Sequence, residues 1–172
     1  MITDMNQPLG YAIGNSLEVK EAIDTLKGQG PKDLEELCLR IVANMLIIAG
    51  KERLEKSAVK KLKGLLNDGS AYKKFIDMIE GQGANVKNDS PILPFASMEL
   101  QVKARKAGFV SGFKTEKLGR CSMRLGAGRE TKGAKIDHPV GIMLNKKVGD
   151  RVKKKDVLCT VHLNINNASM IR

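Results

Sequence analysis

Gly81-Gln82-Gly83-Ala84-Asn85-Val86-Lys87-Asn88-Asp89-Ser90-Pro91-Ile92-Leu93-Pro94 is the stretch on which the fold turns. Glycine, asparagine, aspartate and proline crowd it too densely for a helix or strand interior, so it reads as a loop throughout. The hydrophobic period differs on its two sides. Before it, apolar residues recur at helical spacing; after it, they alternate. The expected class is α+β, helices first and then a small sheet-rich module.

On the N-terminal side, Asn15 or Ser16 can cap a helix carrying Leu17, Ala22, Ile23 and Leu26, with Glu18 in the first turn where a negative charge suits the dipole. Gly28 and Gly30 stop it, and Pro31 opens the next helix. That helix, Lys32 to Ala49, has an apolar surface so broad that packing on more than one side is expected. Two amphipathic helices follow, from about Leu54 to Leu66 and from Ser70 through Ile79. Before them all, Ile2 onward reads as the end of a buried strand, a Pro/Gly loop and a helix start. Apart from Met1, the chain therefore opens in the middle of an architectural unit.

On the C-terminal side, Met98–Val102 and Gly108–Phe113 alternate as strands, and Thr115 can cap a short helix through Leu125. A Gly-rich loop, residues 126–135, precedes strand Val140–Leu144, a turn over Lys146–Lys155 and strand Val157–Val161. In Val148-Gly149-Asp150-Arg151-Val152-Lys153-Lys154-Lys155-Asp156-Val157-Leu158, glycine and aspartate make tight turns while Val152, Val157 and Leu158 return to the core. Biotinyl and lipoyl carriers use a similar pattern, but no exposed hairpin with a modifiable lysine is evident, so the turn reads as structural.

The 172 residues are 42% hydrophobic but only 3% aromatic, with no tryptophan, so the core rests on aliphatic side chains and methionine. No 18-residue apolar run and no secretory signal occur, and a soluble cytoplasmic protein is expected. Cys38, Cys121 and Cys159 are odd in number and lack metal-ligand spacing, which points to reduced, mostly buried thiols. Charge is lopsided. Residues 1–100 carry 13 Lys and Arg against 14 Asp and Glu, and residues 101–172 carry 17 against 5. Such a basic half suits nucleic acid, yet aromatics for base stacking are nearly absent, so nucleic acid is an unfavoured partner.

Chemistry-bearing residues are few. Loop 126–135 sets Gly126, Gly128 and Gly133 beside Arg129, Lys132 and Lys135, which could attract an anion or form a lid, though no GK[ST] phosphate loop exists. His138 and His162 have no carboxylate or nucleophile near them in sequence, so a catalytic role is unsupported. In the opening motif, Pro8, Gly10 and Gly14 can turn carbonyls inward, and Glu21 lies in the helix that follows. Carbonyls plus one carboxylate could hold a hard cation.

Five segments in order resemble the pyrimidine-nucleoside phosphorylases. They are ITDMNQPLGYAIGNSLEVKEA at residues 2–22, EAIDTLKGQGPKDLEELCL, FVSGFKTEKLG, LGAGRETKGAKIDHPVGI and KKVGDRVKKKDVL. The resemblance implies the C-terminal part of such an enzyme. Residues 1–90 would be the helical part of its large α/β domain, and residues 91–172 its C-terminal α/β-hammerhead module. Family members convert a pyrimidine nucleoside and phosphate to the free base and a pentose 1-phosphate, and are homodimers. A potassium ion in them is held partly at positions matching Leu9, Ala12 and Glu21 here. Their catalytic histidine, base-gripping and phosphate-binding residues match nothing in this chain, which implies that it is inactive alone. Loop 126–137 resembles a loop that approaches the family's cleft, whereas Leu163–Arg172 departs from the family. The rival readings are a basic nucleic-acid-binding or carrier-like module and a purely structural domain.

Overall fold

A computed structural model describes residues 2–87 and 90–164. The chain divides into two compact units, one of residues 21–92 and one combining residues 1–20 with 93–172. The class is α+β, as the change of hydrophobic period implies. No helix of the described residues is long and apolar enough to cross a membrane.

In the unit of residues 21–92, punctuation in the sequence sets the helix ends. Helix α1 spans Asn15–Leu26, only residues 21–26 of it in this unit, and α2 spans Lys32–Ile48, α3 Glu55–Asn67 and α4 Ser70–Gly81. Pro31 caps α2 in an extended conformation, and Asp33 and Glu35 sit in its first turn, where they oppose the positive end of the dipole. Helix α2 packs on α3, and α3 on α4. Ile23, Leu39, Ala43, Ala58 and Ile76 are buried, Ala43 and Ala58 completely.

The broad stripe of α2 is only partly covered. Met45 is 60% exposed and Ile48 87%, although Leu34, Leu39 and Val42 line an apolar cavity together with residues of α1 and α3. The reason is one of supply: within this unit α2 packs chiefly on α3, and a helical stripe wider than one neighbour remains open.

The turns of this unit are held by carboxylates. Asp68 accepts from the Ser70 amide at 2.8 Å and the Ser70 hydroxyl at 2.6 Å, at the corner between α3 and α4. The Ser70 hydroxyl chiefly, and its amide next, hold the Asp68 carboxyl below its ordinary range. A depressed folded-state value contributes stability above the unfolded-state value and loses it as pH falls through the folded one. The Ser70 amide resonance is thus expected to titrate on the acid side of pH 4, and Asp68→Asn to abolish that titration in a two-dimensional NMR series. An unchanged titration in the variant would refute the assignment.

The chain from Val86 is less featureless than its composition suggests. Val86–Lys87 (β2) and Ser90–Pro91 (β3) pair antiparallel, so residues 81–94 are not loop throughout. Local turn chemistry marks where the chain reverses and says nothing about whether its two arms exchange hydrogen bonds.

The other unit is built on an antiparallel sheet of Ala12–Ile13 (β1), Met98–Lys103 (β4), Gly141–Leu144 (β6) and Val157–Leu163 (β8), in the order β1-β6-β8-β4. A two-stranded ribbon pairs Gly108–Phe109 (β5) with Arg151–Val152 (β7). Leu125, Val140, Ile142 and Leu144 form the buried core, with Ile13, Phe113, Leu118 and Val161 packed against it. The strand expected over residues 108–113 stops at Phe109, since β7 offers only two residues to pair with it.

Helix α5, Thr115–Ser122, runs into a π-helical turn over Met123–Ala127 that breaks at Gly126. Thr115 does not cap it: its hydroxyl is buried without a hydrogen-bond partner. Two turns in the closing segment share one device. Asp150 accepts from the Lys147 amide and Asp156 from the Lys153 amide, both at 2.8 Å. The buried strand expected at the chain's start is also displaced. Ile2 and Met5 are exposed, and the paired residues are Ala12 and Ile13, which face Met143 and Ile142. The departure from the family expected over Leu163–Arg172 falls mostly on residues 165–172, which lie outside the described residues.

Candidate functional site

The opening loop and the Gly-rich loop, more than 100 residues apart in sequence, meet in one unit. The Asn15 side-chain amide donates to the Ala127 carbonyl at 2.7 Å, and the Ser16 amide donates to the His138 carbonyl at 3.1 Å. The Ser122 hydroxyl donates to the Ile13 carbonyl at 3.3 Å. Asn15 and Ser16 thus tie the start of α1 to Ala127 in the Gly-rich loop and to His138 beyond it. Glu18 also closes the start of α1, its carboxylate accepting from the Gly14 amide at 2.9 Å while its own amide donates to the Gly14 carbonyl at 2.8 Å.

This junction needs glycine on both sides. A Cβ on Gly14 would lie 2.6 Å from the Val140 carbonyl oxygen and 2.9 Å from Gly141 Cα. A Cβ on Gly141 would collide with the Ile13 carbonyl oxygen and stand 3.1 Å from Gly14 Cα. The two backbones approach too closely for any side chain.

Loop 126–137 has a closed base. The Asp137 amide donates to the Gly126 carbonyl at 2.8 Å, and Asn164 donates to both Asp137 carboxylate oxygens at 3.0 and 2.8 Å. Arg129, Lys132 and Lys135 are exposed along it, and Glu130 stands 3.7 Å from Arg124. The base is fixed while the cationic span faces solvent, an arrangement suited to meeting an anion.

Of the candidate cation ligands, Ala12 lies in β1 at the sheet's edge. The Leu144 amide bonds the Tyr11 carbonyl at 2.8 Å, which makes Ala12 and Met143 a non-hydrogen-bonded pair. Ala12's own carbonyl therefore turns away from β6. Leu9 sits in the loop before it, between Pro8 and Gly10. Glu21 belongs to the other unit and is buried despite its charge, at 9% exposure. These donors are all hard oxygens, the chemistry a hard cation selects. Among the described residues no three His, Cys, Asp or Glu side chains cluster as a metal site, so a cation here would depend on backbone oxygen.

His138 is exposed and contributes its carbonyl, not its ring. His162 does have a carboxylate beside it, contrary to its sequence surroundings. Its Nδ1 stands 3.5 Å from Glu99, its cross-strand partner, at a cleft of about 410 Å³ that Lys20, Phe95 and Thr160 also line. Such pairing is set by strand register, which local sequence does not reveal. The cysteines are not mostly buried as expected: Cys38 and Cys121 are exposed and Cys159 is half-buried, although partial desolvation raises the Cys38 and Cys159 thiols above their ordinary values.

Residues 109–170 match the family described as Pyrimidine nucleoside phosphorylase C-terminal domain. The chain is 46% identical over 173 residues to the pyrimidine-nucleoside phosphorylase of Bacillus subtilis (strain 168), covering 99% of this chain and 40% of that protein. It is 47% identical over 169 residues to that of Staphylococcus haemolyticus (strain JCSC1435), covering 97% and 39%. For Staphylococcus aureus (strain USA300) the identity is 48% over 166 residues, covering 95% and 38%. Along almost its whole length the chain is similar to pyrimidine-nucleoside phosphorylases. It spans about two fifths of the length of these relatives. Two of the phosphorylase segments quoted from the sequence, the opening motif and LGAGRETKGAKIDHPVGI, are the two that meet at Asn15–Ala127 and Gly14–Gly141.

Proposed function

We propose that this chain acts as the C-terminal part of a pyrimidine-nucleoside phosphorylase, an enzyme of the cytoplasm and a homodimer in its whole form. The reaction joins a phosphate oxygen to the anomeric carbon as the C–N glycosidic bond breaks. The pyrimidine leaves with the bonding electrons and takes up a proton. The observation that carries this reading is the junction of opening motif and Gly-rich loop through Asn15–Ala127 and Ser16–His138. It joins, within one unit, segments that match the family on both sides.

In this reading residues 1–90 belong to the large α/β domain and residues 91–172 form the C-terminal module. Leu9 and Ala12 supply carbonyls, and Glu21 a carboxylate, to a potassium ion. Bound there, the ion supplies positive charge that orders the neighbouring backbone and favours phosphate. Loop 126–137 approaches the substrates as a lid, excluding water and presenting Arg129, Lys132 and Lys135 to their negative charge. Attack geometry and stabilisation of the departing base fall to residues that the relatives carry outside the matched portion.

Phosphate-dependent cleavage of uridine and thymidine, followed by ultraviolet absorbance, tests the reading. The chain alone is expected to show no turnover. Adding the portion of the Bacillus subtilis relative that this chain does not cover is expected to produce it. Turnover by the chain alone would overturn the division of labour, and none from the pair would overturn the phosphorylase reading.

A further inference from the structure

The side chain of Lys147 is spent on backbone. It lies in the turn after β6, half-buried, and its ammonium donates to the carbonyls of both Pro8 and Gly10 at 2.5 Å. The same nitrogen stands 5.3 Å from the centroid of the Tyr11 ring. Lysine in a turn ordinarily keeps its ammonium in water, so this placement needs a reason. Contacts on either side supply one. The Val148 amide donates to the Gln7 side-chain oxygen at 3.0 Å, and the Leu144 amide to the Tyr11 carbonyl at 2.8 Å. Asp150 in turn holds the Lys147 amide. Residues 144–148 therefore clamp residues 7–11 along their length, with Lys147 at the centre.

The geometry has a consequence for Leu9. The Pro8 carbonyl belongs to the peptide plane before Leu9, and the Gly10 carbonyl to the plane that follows Gly10. The Leu9 carbonyl lies in the plane between them. Pinning both flanking planes sets the direction of the middle one, because a planar peptide leaves only two soft dihedrals per residue. Three rotatable donors on one ammonium can serve two carbonyls at once. A planar guanidinium suits paired carboxylate oxygens instead.

We propose that Lys147 is a positioning residue that fixes the Leu9 carbonyl, and that it thereby sets how tightly the opening loop holds its cation. The second half rests on the phosphorylase reading above. The test compares the natural chain with Lys147→Met, which keeps the stem and removes the donors, and with Lys147→Arg, which keeps the charge. In the chain alone, hydrogen exchange of the Gly10 and Tyr11 amides is expected to quicken about tenfold in Lys147→Met, the scale of a lost charge-assisted hydrogen bond. Exchange in Lys147→Arg is expected to fall between the two. In the complemented enzyme, the potassium concentration for half-activation is expected to rise about tenfold in Lys147→Met on the same ground, with the nucleoside KM within about twofold.

Unchanged exchange at Gly10 and Tyr11 would overturn the clamp. A fall in kcat at unchanged half-activating potassium would overturn the link to the cation. An active natural enzyme indifferent to potassium would refute the cation reading itself, while the exchange result on the chain alone would still decide the clamp. Should Lys147→Met not fold, Lys147→Arg carries both comparisons, and natural values in it for both would refute the need for an ammonium.

Discussion

Replacing Gly141 with alanine is expected to destabilise the sheet-bearing unit by about 3 kcal/mol, the upper range for overpacking a tight contact. The new Cβ would collide with the Ile13 carbonyl oxygen, 3.1 Å from Gly14 Cα and 3.0 Å from a Leu17 methyl. A leucine tip can rotate aside. Two backbone atoms cannot, because Ile13 is locked to Ile142 in the β1–β6 pair and Gly14 is tied to Glu18 at the head of α1. Relief would require separating β1 from β6 and so exposing the edge of the core at Ile142 and Leu144. Gly119→Ala is the matched control. Gly119 lies in α5 with nothing within 4 Å of its would-be Cβ, so helix propensity predicts a change between zero and about 1 kcal/mol in the favourable direction. Urea denaturation of the two variants and the natural chain separates the outcomes. A Gly141→Ala chain within about 0.5 kcal/mol of the natural one would mean that the junction is plastic.

This junction also marks where the sequence stops being readable. Gly14 looks like turn punctuation and Gly141 like the start of a strand; nothing local says that they touch across 127 positions. The same holds for Lys147, one of many lysines in a basic half, whose task depends on carbonyls at the other end of the chain. The pairing of His162 with Glu99 belongs to this class too, since strand register alone creates it. Local features fared better. Helix α4 begins and ends where Gly69 and Gly81 bracket an amphipathic run, and the strand read from Val157 extends two residues further, to Leu163. The paired arms Val86–Lys87 and Ser90–Pro91 were hidden by turn-forming composition. Thr115 had the right chemistry for a cap, but its hydroxyl was buried instead. The gathering of residues 1–20 with 93–172 follows from the pairing of β1 with β6, a long-range event that a linear reading divides at the intervening loop.

Excising the cationic span of the Gly-rich loop, residues 128–135, and joining its ends with two glycines should separate a lid from a surface loop. The base is suited to the operation. Gly126 and Asp137 are already hydrogen-bonded at 2.8 Å, Asn15 holds Ala127, and Asn164 holds the Asp137 carboxylate, so both ends stay anchored after the cut. Loop-closure entropy changes little with length, so the chain's melting temperature is expected to stay within about 3 °C of the natural value. Catalysis in the complemented enzyme should respond far more. A lid that excludes water and orders the reactants predicts a fall in kcat of about a hundredfold, the scale of a misplacement that disturbs reacting geometry. Charge and cover can then be told apart. Changing Arg129, Lys132 and Lys135 together to glutamine keeps the loop's length and removes its cations. If the loop works by attracting anionic substrate, this triple variant should raise the KM for phosphate and lose most of the natural enzyme's salt dependence. If it works by covering the site, the triple variant should keep its kcat while the excised chain does not. Natural turnover in both would leave the loop an exposed span held only for its anchored base, and the lid reading would be wrong.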